Sequence, residues 1–180
     1  PNGSKIAFYS SRSGVYQIWV MNADGSNPVN ISQGRETDVS PQWSPDSSKI
    51  AWTTFRTGGP NGFYTAIFVA NADGSGITNL TGTTSGNQNP SWSPDGTKMT
   101  FTSNRTGNSE VFVMNADGTN PIQLTNTNSA FRNMTPVWSP DGNKIAFVTF
   151  DLNFVCEVRI MNPDGSSQTL LAGPHNIGSA

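Results

Sequence analysis

Cysteine is almost missing. Cys156 is the only one in 180 residues, so no internal disulfide and no cysteine-based metal cluster can form. Histidine is as scarce: the single imidazole, His175, stands in the weakly patterned tail GPHNIGSA, no G-x-S-x-G elbow occurs, and GTTSG from Gly82 has the wrong spacing. These gaps argue against a Ser-His-Asp hydrolase. Charge is thin, with ten basic and twelve acidic residues making 12% of the chain and a net charge of -2, against about 25% in ordinary soluble domains. Without a basic run there is no counterion release to drive nucleic-acid binding and no polybasic hold on a bilayer, so neither is an expected partner. No stretch approaches the ~18 apolar residues of a spanning helix. The first residues show no charged segment followed by an apolar one, so no signal segment is expected within this sequence. No cofactor is expected.

What the chain has instead is Asn, Ser and Thr, 18 glycines, 12 prolines, and a phrase that keeps returning. WSPDSSKIAW runs from Trp43, WSPDGTKMTF from Trp92 and WSPDGNKIAF from Trp138, while the chain opens on the second half of the same phrase, PNGSKIAFYS. The lysine that opens each KIAF-like run stands at Lys5, Lys49, Lys98 and Lys144, and NADG or NPDG begins at Asn22, Asn71, Asn115 and Asn162. A period of this length is the signature of a repeat architecture. Four units follow, approximately 1–42, 43–91, 92–137 and 138–180, read together as a single domain over 1–180.

Within a unit the signals are those of short strands and tight turns. Pro-Asp-Gly supplies turn chemistry between two apolar runs, because Pro fixes its own φ and Gly accepts the left-handed region. The KIAF-like run is too short for a helix and ends in a polar turn such as SRSG or NRTG. The third run, IWVMN, IFVAN, VFVMN or VRIMN, is rich in β-branched and aromatic residues and stops at Asp-Gly, a hairpin signal. A short fourth strand follows in PVNIS, ITNLT, PIQLT and SQTLL. The expected fold is all-β, with four four-stranded antiparallel meanders. Both phases of the third strand are apolar, Ile18, Ile67, Val111 and Val158 on one side and Trp19, Phe68 and Phe112 on the other. A sheet wetted on one face would alternate with polar residues, so these sheets should be covered on both, as propeller blades are.

The phrases WSPDG, KIAF, S-x-R-x-G, FVMNADGTNP and QLT resemble the TolB-type, WD-repeat-like β-propeller repeat of bacterial proteins, across essentially the whole chain. The resemblance implies a periplasmic or extracellular module of an exported bacterial protein, in a family whose members commonly have six or more blades and occur alone or joined to peptidases and other enzymes. This chain departs from that pattern in having only four units. Starting at KIAF would make Lys5 to Ser10 the second strand of the first blade, leaving its innermost strand to come from elsewhere, and the tail GPHNIGSA is the expected donor. Three arrangements stay open: a small ring closed by the tail, half of a larger ring completed by a second copy, or a piece of a longer array.

The recurring aspartates invite a catalytic reading. Asp24, Asp73, Asp117 and Asp164 sit in Asp-Gly turns, and Asp46, Asp95 and Asp141 in Ser-Pro-Asp turns. A catalytic pair needs unequal environments, whereas a turn aspartate serves its own turn by accepting from an N–H two residues on. The turn reading is preferred. Asn-Ala-Asp-Gly echoes the middle of a calcium loop, but Val20 takes the first ligand slot and the bidentate Glu is missing, so no metal is expected. Cys156 falls in a third strand, as a small apolar residue would. Arg159 takes the aromatic slot of Trp19, Phe68 and Phe112, which implies an open face, a partner contact or stacking on a neighbouring ring. Arg12, Arg56 and Arg105 recur in the turn between second and third strands and are expected to tie neighbouring loops by hydrogen bonds. That turn should share an end of the sheet with the connection to the next unit, the most variable segment, and recognition commonly resides in such loops. The candidate binding residues are therefore Arg12, Arg35, Glu36, Asp38, Arg56, Gln88, Arg105, Phe131 and Arg132, with the GGPNGF insertion from Gly58. No catalytic residue is assigned. The expected function is a non-catalytic scaffold whose partner is another protein or a second copy, recruited by loops or by strand pairing at blade edges; the alternative is a small-ligand or glycan-binding module, or the non-catalytic propeller part of a hydrolase or lyase.

Overall fold

The computed structural model describes residues 1–176 except Arg35, 59–61 and Phe154, with 174–176 by backbone alone. Strands β1 (Lys5–Ser10), β2 (Gln17–Asn22) and β3 (Val29–Asn30) form the first sheet. Strands β4 (Thr37–Trp43), β5 (Lys49–Thr57), β6 (Phe63–Asn71) and β7 (Thr78–Asn79) form the second. The third holds β8 (Asn87–Trp92), β9 (Lys98–Ser103), β10 (Glu110–Asn115) and β11 (Ile122–Gln123), and the fourth holds β12 (Phe131–Trp138), β13 (Ile145–Asp151), β14 (Val155–Met161) and β15 (Thr169–Asn176). Each sheet is a meander in chain order, with antiparallel pairing such as Trp52↔Phe68 and Phe101↔Phe112. Among the described residues no helix is long and apolar enough to cross a membrane.

Two expectations need correction. The first sheet has three strands among the described residues, not four. The tail does not fill its vacant position: β15 pairs with β14 through Val155↔Asn176 and Cys156↔His175, so the tail as far as Asn176 belongs to the fourth sheet. Gly173 makes this possible. Its φ is 122°, and a Cβ there would stand 3.0 Å from the Cys156 carbonyl oxygen and 3.1 Å from Glu157 Cα, so only a glycine lets the strand lie this close. The last residues of the expected donor, 177–180, lie outside the described residues.

The turns follow the sequence logic closely. In the first turn of the second sheet, Asp46 accepts from the Ser44 hydroxyl (2.6 Å) and the Ser48 N–H (3.0 Å), and the Ser44 hydroxyl accepts from the Lys49 N–H (2.9 Å). Asp95 and Asp141 repeat the arrangement with Thr97 and Asn143. At the opposite hairpin Asp24, Asp73, Asp117 and Asp164 accept from the N–H of Ser26, Ser75, Thr119 and Ser166. All seven aspartates serve their own turns. The Ser44 hydroxyl and then the Ser48 N–H hold the Asp46 carboxyl down to about 2, and Ser139 and Asn143 do the same for Asp141, also to about 2.

Two compact units divide the chain, Pro1–Pro90 and Ser91–Ala180. In the first, Ile18, Val20 and Ile31 of the first repeat pack with Ile50, Trp52, Phe68 and Ala70 of the second sheet. In the second, Val111, Val113 and Leu124 pack with Ile145, Phe147 and Met161, and Trp138 borders them. Both phases of β6 and β10 are buried, as the apolar pattern required. Strands β4 and β12 each carry a bulge: the register shifts between Val39 and Gln42 and between Met134 and Val137, where Ser40 and Thr135 have φ of 56° and 55°. The bulge frees an N–H, and that of Thr135 donates to Thr102 Oγ1 at 3.0 Å, fastening one sheet to the previous one.

Candidate interaction face

The arginines of these turns lie over aromatic rings of their own sheets. Arg12 folds back over Phe8 and Trp19, with its guanidinium carbon 5.1 and 4.9 Å from the ring centroids. Arg105 lies over Phe101 and Phe112 at 5.1 and 4.9 Å, and Arg56, still inside β5, lies 4.5 Å from Phe68. The physical reason is register. Phe8↔Trp19 and Phe101↔Phe112 are cross-strand partners, so two ring faces present one negative surface beneath the turn. In the fourth sheet the same register pairs Phe147 with Arg159. Arg159 binds Glu157 on its own strand at 2.8 Å, so charge replaces the stacked arginine there.

Beneath these turns lie buried polar residues that hold the connections between sheets. Glu110, at the start of β10, is 1% exposed. Its carboxylate accepts from the Thr125 hydroxyl, the Thr127 N–H (2.8 Å), the Thr127 hydroxyl (2.8 Å) and the Asn133 amide (2.8 Å). One acid thus ties β10, the 125–127 connection and β12 together. Asn108 adds bonds to the carbonyls of Asn128 and Phe131, and the Asn133 N–H donates to the Ser109 carbonyl at 2.8 Å. In the first sheet Gln17 holds the same slot with mixed polarity: its Oε1 accepts from Ser13 and Asn30, and its Nε2 donates to the Gly34 carbonyl. The second-to-third-strand turn and the outgoing connection therefore share one end of each sheet, as the meander required.

Asp38, expected at a surface, is buried at 2% exposure and accepts from the Thr54 hydroxyl at 2.6 Å. Burial pushes its carboxyl above the usual range, against the pull of the Thr54 hydroxyl. The reason is positional. Asp38, Asn87 and Asn133 each stand five residues before the repeat's tryptophan, and all three are buried. Asn133 accepts from Thr149 at 2.7 Å, as Asp38 does from Thr54. Sequence reading passed over Glu110, Gln17 and Asn133; the constant offset before the tryptophan was the available signal.

The remaining candidates divide by place. Glu36 and Gln88 are half-buried, and Phe131 and Arg132 are exposed at the start of β12. Arg132 helps line a hollow of about 270 Å³ with Ala130, Met134, Phe150, Asp151 and Leu152. Arg35, and Gly59, Pro60 and Asn61 of the insertion, lie outside the described residues. The side chain of His175 also lies outside them. Cys156 is half-buried in β14, a free thiol. No group of three or more His, Cys, Asp or Glu among the described residues is placed to hold a metal.

Small antiparallel meanders joined edge-turn to edge-turn, apolar on both faces and packed sheet on sheet, define an all-β protein of the propeller type. Residues 61–177 match the TolB beta propeller domain, and the chain belongs to that family. A 57-residue stretch, 32% of this chain, is 40% identical to the Tol-Pal system protein TolB of Bordetella pertussis and spans 13% of that relative. A solved Agrobacterium tumefaciens protein described as a TolB superposes with a TM-score of 0.81 at 25% identity, covering 94% of this chain and 61% of that one. A puromycin-hydrolyzing peptidase of Mycobacterium tuberculosis shares the fold alone, with a TM-score of 0.77 at 17% identity over 98% of this chain and 29% of its own. This chain spans less than two thirds of the length of each.

Proposed function

We propose that the chain is a non-catalytic propeller scaffold of an exported bacterial protein, periplasmic or extracellular, whose four repeat units serve as one domain for protein–protein interaction or assembly. The observation that carries this reading is the Glu110 cluster. A buried acid that accepts from Asn108, Thr125, Thr127 and Asn133 fixes the connecting segment whose exposed end displays Phe131 and Arg132. Connections so held present side chains without the entropy cost of ordering a floppy loop. Membership in the TolB family, with relatives named for the Tol-Pal system, supports an assembly role. Glu36, Gln88, Phe131 and Arg132 are the proposed contact residues, while Arg12, Arg56 and Arg105 shape the turns beside them.

A photo-crosslinking residue placed at position 131, with the chain exposed to bacterial periplasmic extract, tests the proposal. A discrete protein adduct is expected from position 131, weakened by Arg132→Glu, and none from position 122 on β11. Absence of an adduct, or equal adducts from 131 and 122, would overturn it.

A further inference from the structure

Six peptide bonds of the chain join aspartate to glycine, at Asp24, Asp73, Asp95, Asp117, Asp141 and Asp164. Such a bond is the most labile of aspartyl linkages to ring closure, because glycine puts no side chain in front of its own nitrogen. The glycine nitrogen gives up its proton and attacks the aspartate Cγ; an N–Cγ bond forms, the Cγ–OH bond breaks, and water leaves behind a succinimide ring. Water then returns and cleaves the bond between that nitrogen and the former main-chain carbonyl carbon. The product is isoaspartate, whose main chain runs through the old side chain and is one carbon longer, at unchanged mass and with no reagent but water.

The turns occupy both reactants. At all six sites the glycine N–H, the attacking group, donates to the carbonyl three residues back at 2.9 Å, as Gly74 does to Asn71. The Asp73 carboxylate accepts from the Ser75 N–H (2.9 Å) and the Ser75 hydroxyl (2.7 Å), which hold it toward the residue beyond the glycine. Asp117 repeats this with the Thr119 N–H and hydroxyl at 2.9 and 2.6 Å. In a Ser-Pro-Asp turn a further hydroxyl comes from the residue before the proline, and Ser93 donates to Asp95 at 2.6 Å. Ring closure also draws on the neutral acid, which is scarce here: the Ser75 hydroxyl, and after it the Ser75 N–H, hold the Asp73 carboxyl below the ordinary range. A longer main chain would not fit. A Cβ on Gly74 would already stand 3.2 Å from the Ile31 carbonyl oxygen, where the first and second sheets pack.

We infer that these six bonds are latent sites of isoaspartate modification, and that the residue two places after each aspartate is what keeps the site shut, Ser75 and Thr119 by N–H and hydroxyl together. Five of the six carry Ser or Thr at that place, and Asn143 stands at the sixth. The backbone bond alone would close the hairpin; the hydroxyl adds a second hold on the group under attack. The role lies inside each turn, so it is independent of what the chain binds.

The full chain kept for weeks at neutral pH in heavy-oxygen water tests this. Each ring opening writes a heavy oxygen into the affected peptide, and peptide mapping with electron-transfer fragmentation places the isoaspartate. With two hydrogen bonds to the carboxylate to give up, the folded chain should react roughly a hundredfold more slowly at Asp73 and Asp117 than the same chain unfolded in urea. Ser75→Ala should speed the reaction at Asp73 by about tenfold, the worth of one hydrogen bond to a charged group, and leave the other five sites alone. Ser75→Thr should keep the original rate. Asn71→Ala removes the amide that donates to the Ser75 hydroxyl at 2.9 Å but neither bond to the carboxylate, so it should leave Asp73 unchanged. Equal rates in the folded and unfolded chains would overturn the inference. So would a Ser75→Ala chain that is no faster at Asp73, that is faster at all six sites together, or that Asn71→Ala matches.

Discussion

Replacing Glu110 tests how the connections are held. In Glu110→Ala the Thr127 N–H and the Asn133 amide lose their carboxylate acceptor, while the Thr125 and Thr127 hydroxyls can rotate in search of another. Each buried donor left unpaired costs about 1–3 kcal/mol, so the two that cannot turn away set a loss of about 3–5 kcal/mol, in the range seen when a buried charged network is broken. Glu110→Gln keeps the shape but turns one acceptor oxygen into a donor facing other donors, and should cost about 1–3 kcal/mol. The first sheet supplies the mirror experiment. Gln17 has the Gly34 carbonyl for its Nε2 to donate to, so Gln17→Glu should set a carboxylate oxygen against a carbonyl oxygen and destabilise in turn. Urea unfolding followed by tryptophan fluorescence, with a double-mutant cycle through Asn133→Ala, measures each term. A loss below about 0.5 kcal/mol for Glu110→Ala, the level of an ordinary surface change, would refute the idea that this acid organises the connection.

Asp38→Asn should raise the unfolding midpoint at neutral pH. The folded-state carboxyl is raised by burial, so its favourable contribution exists at low pH and is lost as pH rises; the advantage of the amide should therefore shrink on acidification, and a pH-independent gap would count against the argument. The turn aspartates act with the opposite sign. With Asp46 and Asp141 held down to about 2, their stabilisation is present above the ordinary carboxylate range and lost as pH falls toward 2, so Asp46→Ala with Asp141→Ala should flatten the acid limb of the thermal midpoint against pH. Trp52→Ala removes a side chain 1% exposed and stacked near Phe68 at 6.2 Å, and should cost about 3–5 kcal/mol in chemical denaturation.

The repeat, the hairpins and the local work of seven aspartates were legible in the sequence because each rests on neighbours a few residues apart. The doubly apolar third strand likewise announced sheets covered on both faces. Glu110 and Gln17 were not legible, since hydrophobic periodicity treats a polar residue at a strand end as surface, and only three-dimensional convergence shows the donors around it. Arg12, Arg56 and Arg105 were visible as a recurring element, but their stacking depends on a cross-strand register set by the turn below. The tail was misassigned to the first sheet for a similar reason. Counting residues measured the vacancy there, while the close approach that Gly173 permits at β14 decided where the strand went.

The placement of the turns gives the first three sheets an electrical direction. The Ser-Pro-Asp and Asp-Gly turns meet at one end of a sheet, as the Lys49↔Asn71 pairing shows, and the stacked arginines sit at the other. Lys5, Lys49, Lys98 and Lys144 share the aspartate end and offset it only in part, four against seven. A sheet with little net charge still carries a dipole along its strands, so an approaching ion-bearing molecule feels a torque before it touches anything. That torque acts over a Debye length of about 10 Å at 0.1 M salt. It favours arrivals with their anionic side turned toward the arginines.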